Sequence, residues 1–357
     1  MSSTANVTIH ASQFPDAVQR DLLKSLRTRE VNHKFHYDSV KQVHKWLTLH
    51  QTLSPSRNDA AVVAIYDKAF ERAVSRLAAP RAHIIGLGCG GGQKDRRLLE
   101  LFIGRAVSAL LPREGGQMPE RVLQLLSDAG KGIFYTPCDA SVAMTLVARQ
   151  TASLPEANCL PFVCDLATAD DLPAALGQLG PSDAPRLVTF FGMIPNFEPE
   201  AILPKLASLI GANDLLLFSA NLAPGPDYAA GVQRVLPQYD NKLTRDWLMT
   251  FLLDLGLERD DGVLSFDVEE DNAGLGLKRI VAHFSFLKPR AIAVEGKRFE
   301  FKAGERLRLF FSYRHTPTRV RELLSAHSLQ VSEEWIAKSE EEGVFLVQRS
   351  GASAERR

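Results

Sequence analysis

The sequence predicts an α/β fold: a doubly wound, mostly parallel sheet with a second, discontinuous α+β domain. Three observations support this. Short apolar runs alternate with helical patterns over residues 82–228, a cluster of glycines follows the first run, and strand-like segments without intervening helices appear later in the chain. Strand–helix alternation is typical of parallel βαβ units. Ligands in such sheets bind beyond the carboxyl ends of the strands, where the strand order reverses.

The elements follow from hydrophobic periodicity and from start and stop signals. The first eighty residues predict three helices, FPDAVQRDLLKSLR, DSVKQVHKWLTLHQ and NDAAVVAIYDKAFERAVSRLA, the last capped by Asn58. Five strands follow with helices between them: AHIIGLG, GIFYTPCD, LPFVCD, RLVTFFG and NDLLLFSA. These strands and their helices predict a sheet domain over residues 58–228 plus 315–357.

The remaining segments predict the second domain, residues 1–57 plus 229–314. It contains a helix, TRDWLMTFLLDLG, and strands around GLKRIVAHFSFL, KRFEFKAG and RLRLFFSYR. The chain then returns to the sheet domain with a helix, TRVRELLSAHS, and two strands, LQVSEEWIA and GVFLVQRS. A terminal antiparallel pair of this kind commonly closes a mostly parallel sheet.

Composition excludes several classes of protein. The chain has 357 residues, 45% of them hydrophobic, and its 42 basic residues balance 42 acidic ones, so net charge predicts neither a nucleic-acid nor an anionic-membrane partner. No signal-peptide pattern and no run of about 20 apolar residues is present. Four cysteines lack CxxC spacing and nine histidines lack HxxxH or HxH spacing, so no metal site is predicted. We expect a cytoplasmic protein with a small-molecule substrate; its oligomeric state stays open.

The glycine cluster lies in HIIGLGCGGGQKD, residues 83–95. Glycines allow a positive φ and a close approach of the backbone to a ligand. The letters GLGCGG also fit the GxGxxG pattern of dinucleotide sites, which is weak evidence by itself. A tight structural turn is the alternative.

Acidic residues end the next two strands. Asp139 follows the second strand in YTPCDAS, and Asp165 follows the third in FVCDLA. A carboxylate at the end of the second strand can accept hydrogen bonds from both ribose hydroxyls of a nucleoside. A carboxylate at the end of the third strand can accept one from the adenine amino group. This pair suits S-adenosylmethionine better than NAD, which needs a cradle for its pyrophosphate. A helix N-cap is the alternative role for each. Gly88 and Asp139 are separated by far more than about 20 residues, which predicts an extra helical segment within residues 104–132.

Five segments in order carry a resemblance to a known family: HKFHYDSV, SPSRNDAAV, FFGMIPNFEPEAI, QYDNKLTRDW and FKAGERLRLFFSYRHTP. Over residues 15–350 the chain resembles the histidine-specific methyltransferase family, the S-adenosylmethionine-dependent Nα-methyltransferases of ergothioneine biosynthesis. Fungal relatives of that family methylate prenylated tryptophan. The resemblance implies a Rossmann-like class I methyltransferase domain, a discontinuous substrate-binding domain and S-adenosylmethionine as cofactor.

The resemblance also implies roles for individual residues. Those at the cofactor are Gly88, Gly90, Lys94, Asp139, Asp165 and Leu166. Asn196 matches the asparagine that holds the amino group being methylated, and Tyr37 lies near the substrate, where it could accept or relay a proton. Tyr239 and Thr244 match positions that engage the substrate carboxylate region.

The chain departs from the family in the substrate pocket. Ser312 is retained, but Phe310 replaces the glutamate that hydrogen-bonds the imidazole, and Ala282 replaces a methionine. Leu53 and Ser54 replace paired tyrosines, and Gly86 replaces the acid of the first strand. A buried imidazole N–H without an acceptor costs about 1–3 kcal/mol, or one to two decades of discrimination. An aromatic substrate loses nothing there and can stack on a phenylalanine.

The sequence therefore predicts a methyltransferase for the amino group of an amino acid or a derivative, aromatic rather than histidine, in specialised metabolism. Three alternatives remain: a methyltransferase for an elaborated small molecule or peptide, a histidine Nα-methyltransferase, and a non-catalytic module that binds S-adenosylmethionine. An NAD-dependent oxidoreductase is less favoured, because no suitable acid follows the glycine loop at the usual distance.

Overall fold

The structure is a computed structural model that describes residues 6–77, 79, 81–110, 132–271 and 273–351. The predicted extra helical segment within residues 104–132 falls mostly outside this part of the chain. Its first residues continue a helix that runs to Leu110, and residues 111–131 are outside the described residues.

The strands are named in chain order. They are β1 (Thr8–Ile9), β2 (Ala82–Leu87), β3 (Ile133–Asp139), β4 (Phe162–Val163), β5 (Arg186–Phe190), β6 (Leu215–Asn221), β7 (Gly262–Glu270), β8 (Lys278–Phe286), β9 (Arg290–Val294), β10 (Lys297–Phe301), β11 (Arg306–Arg314), β12 (Leu329–Ile336) and β13 (Glu342–Arg349). The five central strands of the large sheet and the terminal pair β12–β13 confirm the predictions, whereas β1, β7 and β9 were not predicted.

The helices are also named in chain order. They are α1 (Pro15–Thr28), α2 (Val40–Leu53), α3 (Pro55–Asn58), α4 (Ala60–Arg76), α5 (Gln93–Leu110), α6 (Val142–Ala152), α7 (Leu172–Gly177), α8 (Pro199–Leu209), α9 (Tyr228–Val235), α10 (Lys242–Asp254) and α11 (Pro317–Ser325).

The predicted cap of the third helix was wrong by one residue. Asn58 ends the short helix α3, and its side chain donates to the carbonyls of Gln51 and Thr52. Asp59 caps α4 instead, because its carboxylate accepts from the backbone N–H of Ala61 at 2.8 Å.

The large sheet has the order β1-β4-β3-β2-β5-β6-β13-β12. Strands β1 to β6 are parallel, and β13 runs antiparallel to β6 and β12. The chain leaves β2 toward β3 and β4 on one side and resumes with β5 and β6 on the other. The order therefore reverses between β2 and β5, which is where ligands bind in open α/β sheets.

Two hydrophobic clusters cover the faces of this sheet. One packs α7, α8 and α11 against it and includes Leu206 and Phe218. The other packs α4 and α5 against the opposite face and includes Phe70 and Leu98. The sheet strands are accordingly apolar on both faces, as parallel strands between two helical layers must be.

A second, antiparallel sheet has the order β11-β8-β7, and β9 and β10 form a separate hairpin. Its hydrophobic cluster joins the start of the chain to its later part: Leu26 and Phe35 pack with Trp247, Phe284 and other residues. β1, although it lies within residues 1–57, pairs with β4 of the large sheet. None of the described helices has the length and apolar composition needed to cross a bilayer.

Candidate active site

Two adjoining cavities open at the carboxyl edge of the large sheet, at the point where its strand order reverses. The smaller encloses about 370 Å³ and the larger about 670 Å³. Volumes of this size suit small-molecule ligands. The residues that line both cavities form their junction: Tyr37, Trp46, Gly88, Gly90, Met193 and Asn196. Four of the predicted site residues therefore lie together at the junction: Tyr37, Gly88, Gly90 and Asn196.

The glycine loop after β2 forms the floor of the junction. Gly88 and Gly90 have φ values of +64° and +52°, which favour glycine. A Cβ at Gly88 would overlap the side chain of Met193, and one at Gly90 would lie 3.0 Å from the ring of Trp46. Any larger residue at Gly88 would therefore fill space that adjoins both cavities.

Asp139 lies beside this loop on the wall of the smaller cavity. One carboxylate oxygen accepts from the backbone N–H of Gly90 at 3.1 Å and the other from that of Ser141 at 3.0 Å. Each oxygen keeps a lone pair for a further donor. Burial raises the pKa of Asp139 to about 6, against the opposing effect of these backbone donors. The helix α6 is capped by Ser141, so Asp139 is not its N-cap.

Asp165 and Leu166 also line the smaller cavity. The carboxylate of Asp165 accepts from Ala167 N at 2.9 Å and from the Thr168 hydroxyl at 3.0 Å. It also forms an ion pair with the buried Lys34 at 3.3 Å. That lysine was not predicted, because it lies in the turn before α2 and reaches Asp165 only through the tertiary fold.

Lys94, which the resemblance implies at the cofactor, lies in the first turn of α5, directly after the glycine loop. It lines the larger cavity and not the smaller one, and its ammonium donates to the Tyr66 hydroxyl at 2.9 Å. The ammonium also stands 4.1 Å from the centroid of the Tyr66 ring. Burial lowers the pKa of Lys94, while Glu342 opposes that change.

A buried acidic residue lies close to Gly86, on the next helix. Asp95, in the first turn of α5, is 3% exposed and lines the larger cavity. Its carboxylate accepts from the hydroxyls of Tyr135 at 2.7 Å and Thr189 at 2.9 Å, and burial raises its pKa. A Cβ at Gly86 would overlap this carboxylate. A side chain at position 86 would therefore require the Asp95 carboxylate to move.

Asn196 lies at the junction, in the single helical turn Ile194–Asn196 after β5. Its amide nitrogen donates to the carbonyl of Phe311 at 2.7 Å, which fixes the orientation of the side chain. Among the described residues no donor bonds its amide oxygen. That oxygen can accept a hydrogen bond from an amine at the junction.

Tyr37 packs between aromatic rings at the junction, 5.8 Å from Trp46 and 5.5 Å from Trp247 between centroids. Burial first, and the charge of Asp139 second, raise the pKa of its phenol far above the ordinary value. The phenol therefore stays protonated at neutral pH. It can relay a proton through its hydroxyl, but it cannot act as a phenolate base.

Three polar residues form a chain on the wall of the larger cavity. Arg314 donates to the Tyr239 hydroxyl at 2.9 Å, and that hydroxyl lies 2.8 Å from the Ser312 hydroxyl. Thr244, also on this wall, accepts from the side chain of Asn241, which caps α10. The sequence singled out Tyr239, Ser312 and Thr244 but missed Arg314.

Phe310 is 8% exposed and forms part of the same wall. Its ring lies 5.9 Å from that of Trp247 and 6.1 Å from that of Tyr239. Ala282, predicted at the substrate, pairs with Phe310 across β8 and β11 and is completely buried. It lies beside Phe310 on the neighbouring strand and lines neither cavity.

The far lobe of the larger cavity is lined by α2, α3 and α4. Leu53 and Ser54 are on its wall with His50 and Arg57. Burial and the charges of Lys94 and Arg57 lower the pKa of His50 to about 3, so its imidazole is neutral.

The smaller cavity fits the adenosine half of S-adenosylmethionine: glycines that allow close approach, Asp139 with lone pairs to spare, and Leu166 as an apolar wall. The fold and the site define a class I, S-adenosylmethionine-dependent methyltransferase. The chain belongs to the histidine-specific, S-adenosylmethionine-dependent methyltransferase family, whose profile matches residues 18–349. This confirms the resemblance seen in the sequence and the predicted cofactor.

Several solved structures are distantly similar to this chain. A S-adenosylmethionine-dependent methyltransferase from Clostridium acetobutylicum ATCC 824 is 13% identical, over 86% of this chain and 99% of its own, with a TM-score of 0.44. Magnesium protoporphyrin IX methyltransferase (ChlM) from Synechocystis PCC 6803, with bound SAH, is 12% identical over 89% and 98%, with a TM-score of 0.43. The sugar N-methyltransferase KedS8 from Streptoalloteichus sp ATCC 53650 is 13% identical over 84% and 92%, with a TM-score of 0.39. No curated protein matches the chain.

Proposed function

We propose that this chain methylates the amino group of an amino acid or an amino-acid-derived small molecule, aromatic rather than histidine, in specialised metabolism. The observation that carries the proposal is the amide oxygen of Asn196. It has no donor among the described residues and lies where the two cavities meet, on the same cavity wall as Phe310. The bound cofactor supplies the electrophilic methyl group.

The residues that line the two cavities bind the cofactor and orient the acceptor amine. Gly88 and Gly90 leave space for the cofactor. Asp139 accepts hydrogen bonds from its ribose hydroxyls, and Asp165 and Leu166 hold the adenine. Lys94 and Asp95, on the larger cavity beside the loop, hold the charged end of the cofactor's amino-acid part. Asn196 then directs the lone pair of the acceptor amine, which is chiefly a task of proximity and orientation. The neutral fraction of the amine attacks the methyl group. The methylated amine is then positively charged, and Tyr37 relays the proton that it loses.

The aromatic wall supports the preference against histidine. Phe310, Trp247 and Tyr37 offer rings to an aromatic side chain. Phe310 occupies the position where the resemblance implies a glutamate, and it offers no acceptor for an imidazole N–H. The unpaired N–H would cost a bound histidine about 1–3 kcal/mol. The size of the larger cavity favours a second candidate, an elaborated substrate such as a prenylated indole or a modified peptide.

An acceptor panel tests the proposal. Purified protein is incubated with S-adenosylmethionine and each of the twenty amino acids or simple aromatic amines, and products heavier by one, two or three methyl groups are sought by mass spectrometry. Products from tryptophan, tyrosine or phenylalanine support it. Products from histidine alone would overturn the aromatic preference. If the protein binds the cofactor but methylates none of these compounds, the elaborated substrate is favoured.

The pH dependence of cofactor binding follows from Asp139. The carboxylate must be ionised to accept two hydroxyls, and burial raises its pKa to about 6. Affinity for S-adenosylhomocysteine is thus full above that pH and falls by about tenfold per pH unit below it. Calorimetric titration from about pH 5 to about pH 8 checks this, with Asp139→Asn as the control that binds weakly and without this dependence. A flat profile for the unmodified chain would contradict it.

We also propose that residues 1–57 plus 229–314 form the substrate-binding domain and residues 58–228 plus 315–357 the methyltransferase domain. The hydrophobic cluster that joins Leu26 and Phe35 to Trp247 and Phe284 supports this division. A cytoplasmic location is supported by the four cysteines, all of which are free thiols.

A further inference from the structure

Residues 8–13, which we call the N-terminal arm, lie beside the strand that leads to Asp165. The first two residues of the arm form β1, which runs parallel to β4 at the edge of the large sheet. The pairing continues beyond the strand, where the backbone N–H of His10 donates to the carbonyl of Val163 at 2.9 Å. The arm therefore follows β4 to its carboxyl end, where Asp165 lines the smaller cavity.

Ser12 of the arm bonds the backbone of Asp165 directly. The backbone N–H of Asp165 donates to the Ser12 hydroxyl at 3.0 Å, and both residues are buried. A buried N–H that loses its partner is costly. This hydrogen bond therefore fixes the backbone from which the Asp165 carboxylate projects.

A chain of hydrogen bonds holds the Ser12 hydroxyl in place. Nδ1 of His10 accepts from the backbone N–H of Ser12 at 3.1 Å, so this nitrogen carries no proton. The Ser12 hydroxyl, 2.9 Å away, therefore donates to Nδ1, and its oxygen is left to accept from Asp165. Nε2 of His10 carries the ring proton and donates to the carboxylate of Asp171 at 2.7 Å.

The arm also reaches the segment of the second acidic residue. The side-chain amide of Gln13 donates to the carbonyl of Ala140 at 2.7 Å. Ala140 directly follows Asp139, which lines the same cavity as Asp165. The arm thus contacts the backbone at both strand ends that carry an acidic residue of this cavity.

The carboxylate of Asp165 keeps room for one more donor. Its Oδ1 accepts one hydrogen bond among the described residues, from the backbone N–H of Ala167 at 2.9 Å. Its Oδ2 accepts from the Thr168 hydroxyl and pairs with Lys34. Since a carboxylate oxygen has two lone pairs, Oδ1 can take a donor from a ligand in the cavity.

We propose that the N-terminal arm is a working part of the cofactor site, in which Ser12 is a positioning residue that sets Asp165 for the amino group of adenine. A carboxylate accepts from an amino group and repels a carbonyl oxygen, so a correctly placed Asp165 selects a 6-amino purine over a 6-oxo purine. The arm lies outside the part of the chain that the family profile matches, which begins at residue 18. This inference rests on the proposed contact between Asp165 and adenine.

The test compares two cofactor products. S-adenosylhomocysteine and S-inosylhomocysteine, which has a carbonyl oxygen in place of the adenine amino group, are titrated calorimetrically into the unmodified chain and into Ser12→Ala. We expect the unmodified chain to prefer the adenine compound by about a hundredfold or more, and Ser12→Ala to reduce this ratio at least about tenfold. Ser12→Thr, which keeps the hydroxyl, should restore most of the ratio. A merely structural role of Ser12 would weaken both compounds equally and leave the ratio unchanged.

Two further variants support the comparison. Ile9→Thr changes an exposed side chain of β1 and keeps the backbone pairing, so both affinities should match those of the unmodified chain. His10→Phe removes the acceptor of the Ser12 hydroxyl and leaves Ser12 in place, so the ratio should fall as it does in Ser12→Ala. If Ser12→Ala does not fold, as judged by its melting temperature, His10→Phe gives the same test.

Asp165→Asn separates the failure of this inference from that of the proposed cofactor contact. The asparagine amide can donate to a 6-oxo group, so this variant should shift the ratio toward the inosine compound. If Asp165→Asn leaves the ratio unchanged, Asp165 does not contact the adenine amino group, and the inference fails together with the proposed contact. If Asp165→Asn shifts the ratio and the folded variants of Ser12 and His10 do not, the contact stands and the role of the arm is wrong.

Discussion

Replacing Asn196 by alanine is expected to lower turnover by about a hundredfold or more, with no change in affinity for the cofactor product. The amide oxygen is the acceptor that directs the amine, and misplacing a reacting group by about 1 Å costs about a hundredfold. The amide nitrogen bonds the carbonyl of Phe311 and does not bond the loop at Gly88 and Gly90, so the cofactor cavity should survive the change.

Single-turnover rates and calorimetric titration of S-adenosylhomocysteine measure the two effects separately. Asn196→Leu, which keeps most of the side-chain volume without an acceptor, should be as slow as the alanine variant. A variant with near-normal turnover would show that the amine is directed by another group. A variant that loses cofactor binding would assign Asn196 to the cofactor.

Replacing Phe310 by glutamate is expected to shift specificity toward histidine. A carboxylate at this position would accept an imidazole N–H and remove the penalty of about 1–3 kcal/mol, or one to two decades in kcat/KM. It would also remove the ring that packs near Trp247 and Tyr239. The ratio of kcat/KM for histidine to that for tryptophan should therefore rise at least about tenfold.

Phe310→Leu is the matched control, because it removes the ring without adding an acceptor. It should reduce activity on aromatic amino acids, and histidine should remain a poor substrate. If the glutamate variant binds S-adenosylhomocysteine normally and its substrate ratio is unchanged, Phe310 does not set specificity. His33, whose ring lies 5.4 Å from that of Phe310 and has no hydrogen-bond partner among the described residues, would then be the next residue to vary.

Local patterns were enough to predict the large sheet. Its central strands are apolar on both faces, and β2 and β6 stand out as continuous runs. In the second sheet, β7 was missed although Leu264, Phe266 and Val268 alternate with polar residues, which is the pattern of a half-buried strand. β7 and β8 form a hairpin, whereas the pairing of β8 with β11 joins segments farther apart in the chain and is not indicated by periodicity. The two residues of β1 are too short for any periodic signal.

The same distinction applies to the site. The positions of Asp139 and Asp165 on the smaller cavity could be predicted, because Asp139 ends β3, Asp165 comes shortly after β4, and strand ends meet at one edge of a parallel sheet. The positions of Asp95 and Arg314 on the larger cavity could not, since they depend on tertiary contacts. The glycine at position 86 leaves space for the Asp95 carboxylate, a contact that only the tertiary structure shows.

The most direct test of the account is a competition assay. Equal concentrations of histidine, tryptophan, tyrosine and phenylalanine are offered together with methyl-labelled S-adenosylmethionine, and labelled products are quantified by mass spectrometry at low conversion. The account predicts that one of the aromatic amino acids, labelled on its amino nitrogen, exceeds histidine by at least about tenfold. Labelled histidine as the main product would contradict it and would return the chain to the activity for which its family is described.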